Sequence, residues 1–194
     1  MEKIFKNKKL AYVLIGILLA LQLTQSIANW CGGGFNGGSL VLCILMLGLL
    51  TLVGVGVAKN NKLLTIVSGA SILSVVIYVL VSQYSGLIQE WIDGKVPAMG
   101  LASGLLGSIG TLLMICCLVF VLIKAFGMTK KIKIINTIFS LIAAVVFLVV
   151  FIIAIAVNPD MSSTLKVYLM MRDLFAMFIA LLIPCVWHQV EAKE

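Results

Sequence analysis

Six long apolar runs alternate with short polar stretches along the chain, at about 10–28, 39–58, 63–82, 98–122, 134–157 and 165–187. Each is close to or above the ~20 residues an α-helix needs to cross a hydrocarbon core, and none shows the strict alternation of a half-buried strand. The pattern predicts an all-α, polytopic membrane protein: a bundle of six transmembrane helices forming a single membrane domain over 1–194. Only short connections separate the runs, which leaves no room for an extramembrane domain.

After the third run the period changes. Leu87, Ile88, Trp91 and Ile92 recur on one helical face while Gln89, Glu90 and Asp93 fall elsewhere. This predicts a short interfacial helix near 86–93, with Trp91 at headgroup depth because an indole is apolar with one polar edge. The other connections have their own punctuation. Five glycines between Gly32 and Gly38 predict a flexible loop after Trp30-Cys31, and Lys59-Asn60-Asn61-Lys62 predicts a tight turn that returns the third span antiparallel to the second. Pro97 marks the entry to the fourth span. Asn158-Pro159-Asp160 stops the fifth, because proline breaks the ladder and constrains the residue before it; Ser162 or Ser163 can then cap the sixth.

Small residues at helical spacing let backbones approach closely. On that basis Gly48 and Gly54 in the second span, and Gly100, Gly104 and Gly107 in the fourth, are candidate helix-packing positions. The fifth span is almost unbroken aliphatic and is expected to face lipid over much of its circumference.

Composition narrows the class. With 62% hydrophobic and 11% charged residues and a mean hydropathy of +1.22, the chain cannot be arranged as an apolar core within a polar shell. Its net charge of +7 is unevenly placed. Lys3 to Lys9, Lys59, Lys62, Lys124 to Lys133 and Lys193 fall on one side of the six spans, against Lys95, Lys166 and Arg172 on the other. The positive-inside rule then expects a multi-pass protein of the cell membrane with both termini cytoplasmic. The charge reports orientation and gives no case for nucleic-acid binding. The lysine-rich start, the apolar run and the small residues Ser26 and Ala28 resemble a signal peptide, yet the run is nearly long enough to span and five more follow, so it is expected to stay as the first helix.

Candidate chemistry is sparse. His188, the single histidine, sits beside Trp187 at the end of the last span and reads as an interfacial anchor. Cys43, Cys116, Cys117 and Cys185 lie within spans, where cysteine behaves as a small hydrophobe, and Cys31 is alone in the first loop. Neither a metal-ligand spacing nor a disulfide framework is present. No cofactor, no metal and no enzymatic activity are expected.

The informative polar residues lie inside the spans. Arg172 and Asp173 interrupt the last one, and either charge at a bilayer centre costs about 2.5–3.5 kcal/mol on insertion scales. Adjacent residues project about 100° apart on a helix, which predicts a separate partner for each: either an interfacial pair whose arginine snorkels to headgroups, or an Arg172 that holds an anionic part of a ligand or pairs with Asp160, Glu90 or Asp93. Gln22, Gln25, Ser26 and Asn29 form a stripe on the first span, and Ser71, Ser74, Tyr78 and Ser82 another on the third. Arg172, Asp173, Gln22, Gln25, Asn29 and Tyr78 are therefore the candidate ligand-binding residues. They fall in the lysine-poor half of the chain's topology, with Glu90, Asp93 and Asp160.

The expected function is that of a small substrate-binding or transport-associated membrane protein, recognising a solute near the outer face between the first, third and sixth helices. An alternative is a non-transporting or immunity-type partner acting on another membrane protein by helix–helix interaction. A channel comes third, since no span carries repeated charged rings. In length and number of spans alone, the chain resembles the substrate-binding subunits of energy-coupling-factor vitamin transporters, a likeness that implies solute capture. The partners expected are the lipid bilayer and either a small-molecule solute or another membrane protein. Single cysteines placed at Asn60 or Asn61 are expected to react with an impermeant thiol reagent only from the cytoplasmic side; labelling in intact cells would overturn the topology.

Overall fold

The computed structural model describes residues 7–33, 37–94, 98–125, 130–157 and 163–191. Residues 34–36 of the glycine loop, Pro97, Asn158-Pro159-Asp160 and Ser162 lie outside the described residues, as do the packing of Gly100 and the side chains of Trp187 and His188. The elements are six helices: α1 (Lys8–Gly33), α2 (Gly37–Lys59), α3 (Lys62–Ile92), α4 (Ala98–Ala125), α5 (Lys130–Val157) and α6 (Ser163–Glu191). The shortest has 23 residues, which at a rise of about 1.5 Å per residue exceeds a hydrocarbon core of about 30 Å.

All six are long and apolar enough to cross a membrane. Large apolar side chains cover the outside, among them Leu63 at 73% exposure, Val41 at 66% and Leu112 at 61%. That surface suits lipid and not water, so the chain is a multi-pass membrane protein whose solvent is the bilayer.

Each helix packs on the next in sequence, and α1 packs on α6, which closes a ring. The connections span five residues or fewer. At ~3.3–3.6 Å per residue they cannot recross a bilayer, so neighbours run antiparallel. The ring is pinched: α6 also touches α2, α3 and α4, and half of its span is buried. Among the described residues α1 and α3 do not pack against each other.

Two boundaries differ from the sequence reading. Residues 86–93 do not form a separate interfacial helix; they are the last turns of α3, which runs unbroken for 31 residues. The glycine at the junction, Gly86, costs only about 1 kcal/mol in a helix, and Leu87 and Ile88 pack against Gly104 of α4, which holds the extension in place. The helix stops at Asp93, whose N–H bonds the Gln89 carbonyl, followed by Gly94 at φ +72°. α1 likewise continues past Ala28 through Trp30 and Cys31 to Gly33, and the Trp30 indole N–H donates to Ser39 Oγ of α2 at 2.7 Å.

The α2–α3 turn is tight because two asparagines do two jobs. Asn60 adopts the left-handed conformation (φ 50°), and the N–H of Asn61 bonds the Gly56 carbonyl at 2.9 Å, ending α2. Asn61 in turn caps α3, its side chain accepting from the Leu64 N–H at 3.1 Å. Lys8 Nζ donates to Asn60 Oδ1 at 2.6 Å, tying the start of α1 to the same turn.

The glycines divide by environment. Gly107 lies under the ring of Tyr84, where a Cβ would overlap the aromatic carbons. Gly104 lies 3.2 Å from Ile88 Cγ1, measured from an added Cβ. Gly110 of the same small-residue surface lies against the Phe147 ring, and a close approach not singled out from sequence is Gly56 against Thr65. Gly54 makes only an ordinary contact, with Ile15 Cδ1 at 3.9 Å, and Gly48 meets nothing within 4 Å. The expectation of a packing role at Gly48 is thus corrected: Met46, Leu50 and Val53 turn inward and leave Gly48 facing out. Gly107→Ala should lower the thermal midpoint in detergent, by the ~1–3 kcal/mol typical of overpacking. Gly48→Ala should leave it unchanged or raise it slightly; equal losses at the two positions would show that the difference in packing is not real.

Candidate functional site

In the sixth helix the chain places opposite charges side by side, and the ring buries both. Arg172 is 7% exposed and Asp173 fully buried, about nine residues along α6 and hence roughly 14 Å from its start. The expectation of separate partners is corrected. Arg172 Nε and Nη2 both reach Asp173 Oδ1, each at 2.7 Å. The aspartate is short and stays on its side of the helix, while the arginine has enough bonds to turn back along its own backbone. Enclosed by other helices, the guanidinium cannot snorkel to headgroups, and its neighbour is the nearest counter-charge.

Tyr84 of α3 completes the arrangement. Its hydroxyl donates to Asp173 Oδ1 at 3.2 Å, and the Arg172 guanidinium carbon lies 5.4 Å from the centre of its ring, within cation–π range. Gly107 makes the space for that ring. Three donors therefore converge on Oδ1, whereas the buried Oδ2 has no hydrogen-bond partner. One helical residue away, Gln83 Nε2 donates to the Tyr168 hydroxyl at 3.3 Å and its Oε1 is likewise buried without a partner.

Where α1 and α3 fail to meet, a cavity of about 50 Å³ remains, walled by α1, α2, α3 and α6. Gln22 and Gln25 supply its α1 wall, Met46 its α2 wall, Val76 and Leu80 its α3 wall, and Arg172 with Phe175 its α6 wall. At ≳10–15 Å³ per water it has room for a few waters or one small solute. Gln22 is buried and its Nε2 donates to Ser26 Oγ at 3.4 Å; Gln25 is only partly buried, at the rim with the half-exposed Leu42.

The structure thus brings Arg172, Gln22 and Gln25 to one cavity, with Asp173 behind the arginine. Asn29, one turn beyond Gln25, is not among the lining residues. Tyr78 is corrected outright: it is 76% exposed and points away from the bundle, because Val75, Val76, Val79 and Leu80 are the residues α3 turns toward the cavity. The stripe it belongs to does not need protein partners. Ser71 and Ser74 satisfy their hydroxyls on the carbonyls of Val67 and Ala70, each at 2.9 Å.

Sequence reasoning missed Gln83, Tyr84 and Tyr168. Two consecutive hydrogen-bonding residues at the end of an apolar run were the available signal for the first two. A second polar cluster, also unforeseen, lies between α4 and α5: Cys117 Sγ is 3.3 Å from Ser140 Oγ, beside a fully buried Asn136 whose amide atoms have no partner. No group of three or more histidine, cysteine, aspartate or glutamate side chains is placed to hold a metal among the described residues.

Compared with protein-family models, curated proteins and solved structures, the chain shows no match. Fold and site define its class: a six-helix, multi-pass membrane protein with a buried arginine–aspartate pair beside an intramembrane cavity.

Arg172→Ala should destabilise strongly, on the order of 3–5 kcal/mol, because it strands a buried carboxylate. Adding Asp173→Asn should recover much of that loss. Melting in detergent of the single and double variants checks it; a double variant no more stable than Arg172→Ala would show that the pair is not what the two residues contribute.

Proposed function

We propose that this chain is a substrate-binding or transport-associated protein of the cell membrane, with both termini cytoplasmic, and that its solute is a small organic anion. The observation that carries the reading is the placement of Arg172 on the wall of a cavity otherwise lined by apolar side chains and two amides. A guanidinium presents a planar fork that matches a carboxylate. Gln22 and Gln25 can donate to the same group, and Met46, Val76 and Phe175 offer surface to a short hydrocarbon part. Asp173 already meets the charge of Arg172, so what supports the reading is that the same residue also borders a cavity, where intramembrane ionisable residues tend to mark a solute path.

The cavity lies in the half of the bundle that holds the ends of α1 and α3 and the beginnings of α2 and α6. Under the lysine asymmetry this is the outer half, which supports recognition of a solute from outside. Guanidinium and amide groups hold and orient a solute, and the proposal assigns neither catalysis nor a cofactor.

The test is thermal stabilisation of the purified protein in neutral detergent by sodium butyrate, against the same concentration of sodium gluconate, which is too bulky and too polar for this lining. Butyrate at ~100 times its Kd should add about 2.7 kcal/mol of stability. Arg172→Lys, which keeps the charge but loses the fork, should need several-fold more butyrate for the same shift. Equal midpoints in butyrate and gluconate would sink the anion reading.

A further inference from the structure

Arg172 faces two ways: it lines the cavity, and both Nε and Nη2 are committed to Asp173 Oδ1. A solute carboxylate that takes the guanidinium fork must draw it away from the aspartate. Asp173 would then keep only the Tyr84 hydroxyl, at 3.2 Å, while remaining fully buried. An ionised carboxylate buried in that position without its counter-charge is strongly disfavoured. One of its oxygens, Oδ2, already lacks a partner and is the free place for a proton.

We propose that Asp173 is a proton-binding site coupled to the anion site, so that each anion bound at Arg172 is accompanied by one proton bound at Asp173 Oδ2. The inference rests on the anion reading of the cavity and adds its coupling ion. The exchange balances: the ion pair between Arg172 and Asp173 opens, the guanidinium pairs with the solute carboxylate, and an O–H bond forms at Oδ2 with a proton taken from hydronium, releasing water. The charge brought in by solute and proton together is zero, so the buried site is neutral before and after. Asp173 thereby serves as the internal anion of the empty protein, holding Arg172 in place until a solute replaces it.

The ionisable groups acting on Asp173 are few. They are Arg172 beside it and Tyr84 from α3, with Tyr168 acting on Arg172 from one turn earlier in α6; α1, α2, α4 and α5 bring none to it among the described residues. Tyrosine and arginine ordinarily titrate at about pH 10 and above, so a proton taken up near neutrality is assigned to Asp173.

The experiment is the Kd of sodium butyrate for the purified wild-type protein at several values between about pH 6 and pH 8, a range in which butyrate itself stays ionised and model tyrosine does not titrate. Uptake of one proton per anion requires the affinity to fall about tenfold for each unit rise in pH. Methanesulfonate, a permanently ionised anion, should show the same slope, because the proton is carried by the protein. Asp173→Asn, checked for folding by its melting transition, should bind butyrate independently of pH and at least as tightly as wild type does at pH 8, since its Arg172 is released from the ion pair. Butyrate binding with the same Kd at both ends of the range overturns the coupling and leaves the anion site standing. A slope present for butyrate but absent for methanesulfonate, or retained in Asp173→Asn, also overturns it, because the proton would then enter as butyric acid. Failure of butyrate to bind at any pH overturns the anion site and the coupling together.

Discussion

A guanidinium and a carboxylate enclosed within an apolar bundle constrain everything placed around them. Neither can be left charged and alone at that depth, so each needs a partner within hydrogen-bond reach, and here each partners the other while the wall around them supplies a further donor. The chain answers with Tyr84, whose hydroxyl bonds Asp173 and whose ring faces Arg172. Tyr84 can be there only because α4 presents Gly107 at the same level. A small residue on one helix thus makes room for an aromatic ring on a second, which holds the charges of a third. The arrangement is still incomplete, since three donors meet on Oδ1 and none on Oδ2.

The ring of helices places the cavity. Because α6 packs on α1 and α5 and still reaches α3, it occupies the interior, and half of its span is buried, more than for any other helix. α1 and α3 approach α6 from different sides without meeting, and the space between them is closed by α2 on one flank and by Arg172 and Phe175 on the other. The position of the cavity therefore follows from connectivity. A chain that ends on the helix neighbouring its first one closes a ring, and a pinched ring leaves a gap beside the pinch.

In lipid the ordinary association of polar residues with function weakens, because a hydroxyl can satisfy itself on its own helix. Ser71, Ser74, Thr51 and Thr24 each donate to the carbonyl four residues earlier and say little about a site. Groups with more donors and acceptors than one backbone carbonyl can satisfy carry the information: the amides Gln22, Gln25 and Gln83 and the charges of α6. The Asn136 amide between α4 and α5 belongs to the same kind.

The class of the protein was legible in the sequence because the bilayer imposes one length and one polarity on every span. Six apolar runs with no alternation admit little except a helical bundle, and the Lys59–Lys62 turn was readable because it is local. The depth of Arg172 and Asp173 in the last helix and the glutamine stripe of the first were legible for the same reason, as exceptions to a uniform rule. What only the tertiary structure decided is which side of each helix turns inward. Apolar residues cover all sides of these helices, so periodicity does not separate the core face from the lipid face, and Tyr78 and Gly48 were both assigned to the wrong one. The pairing of Arg172 with Asp173 was hidden for a related reason: helical spacing fixes where a side chain leaves the backbone, but a long arginine enclosed by neighbours ends where its counter-charge is, and the enclosure is made by helices far away in sequence.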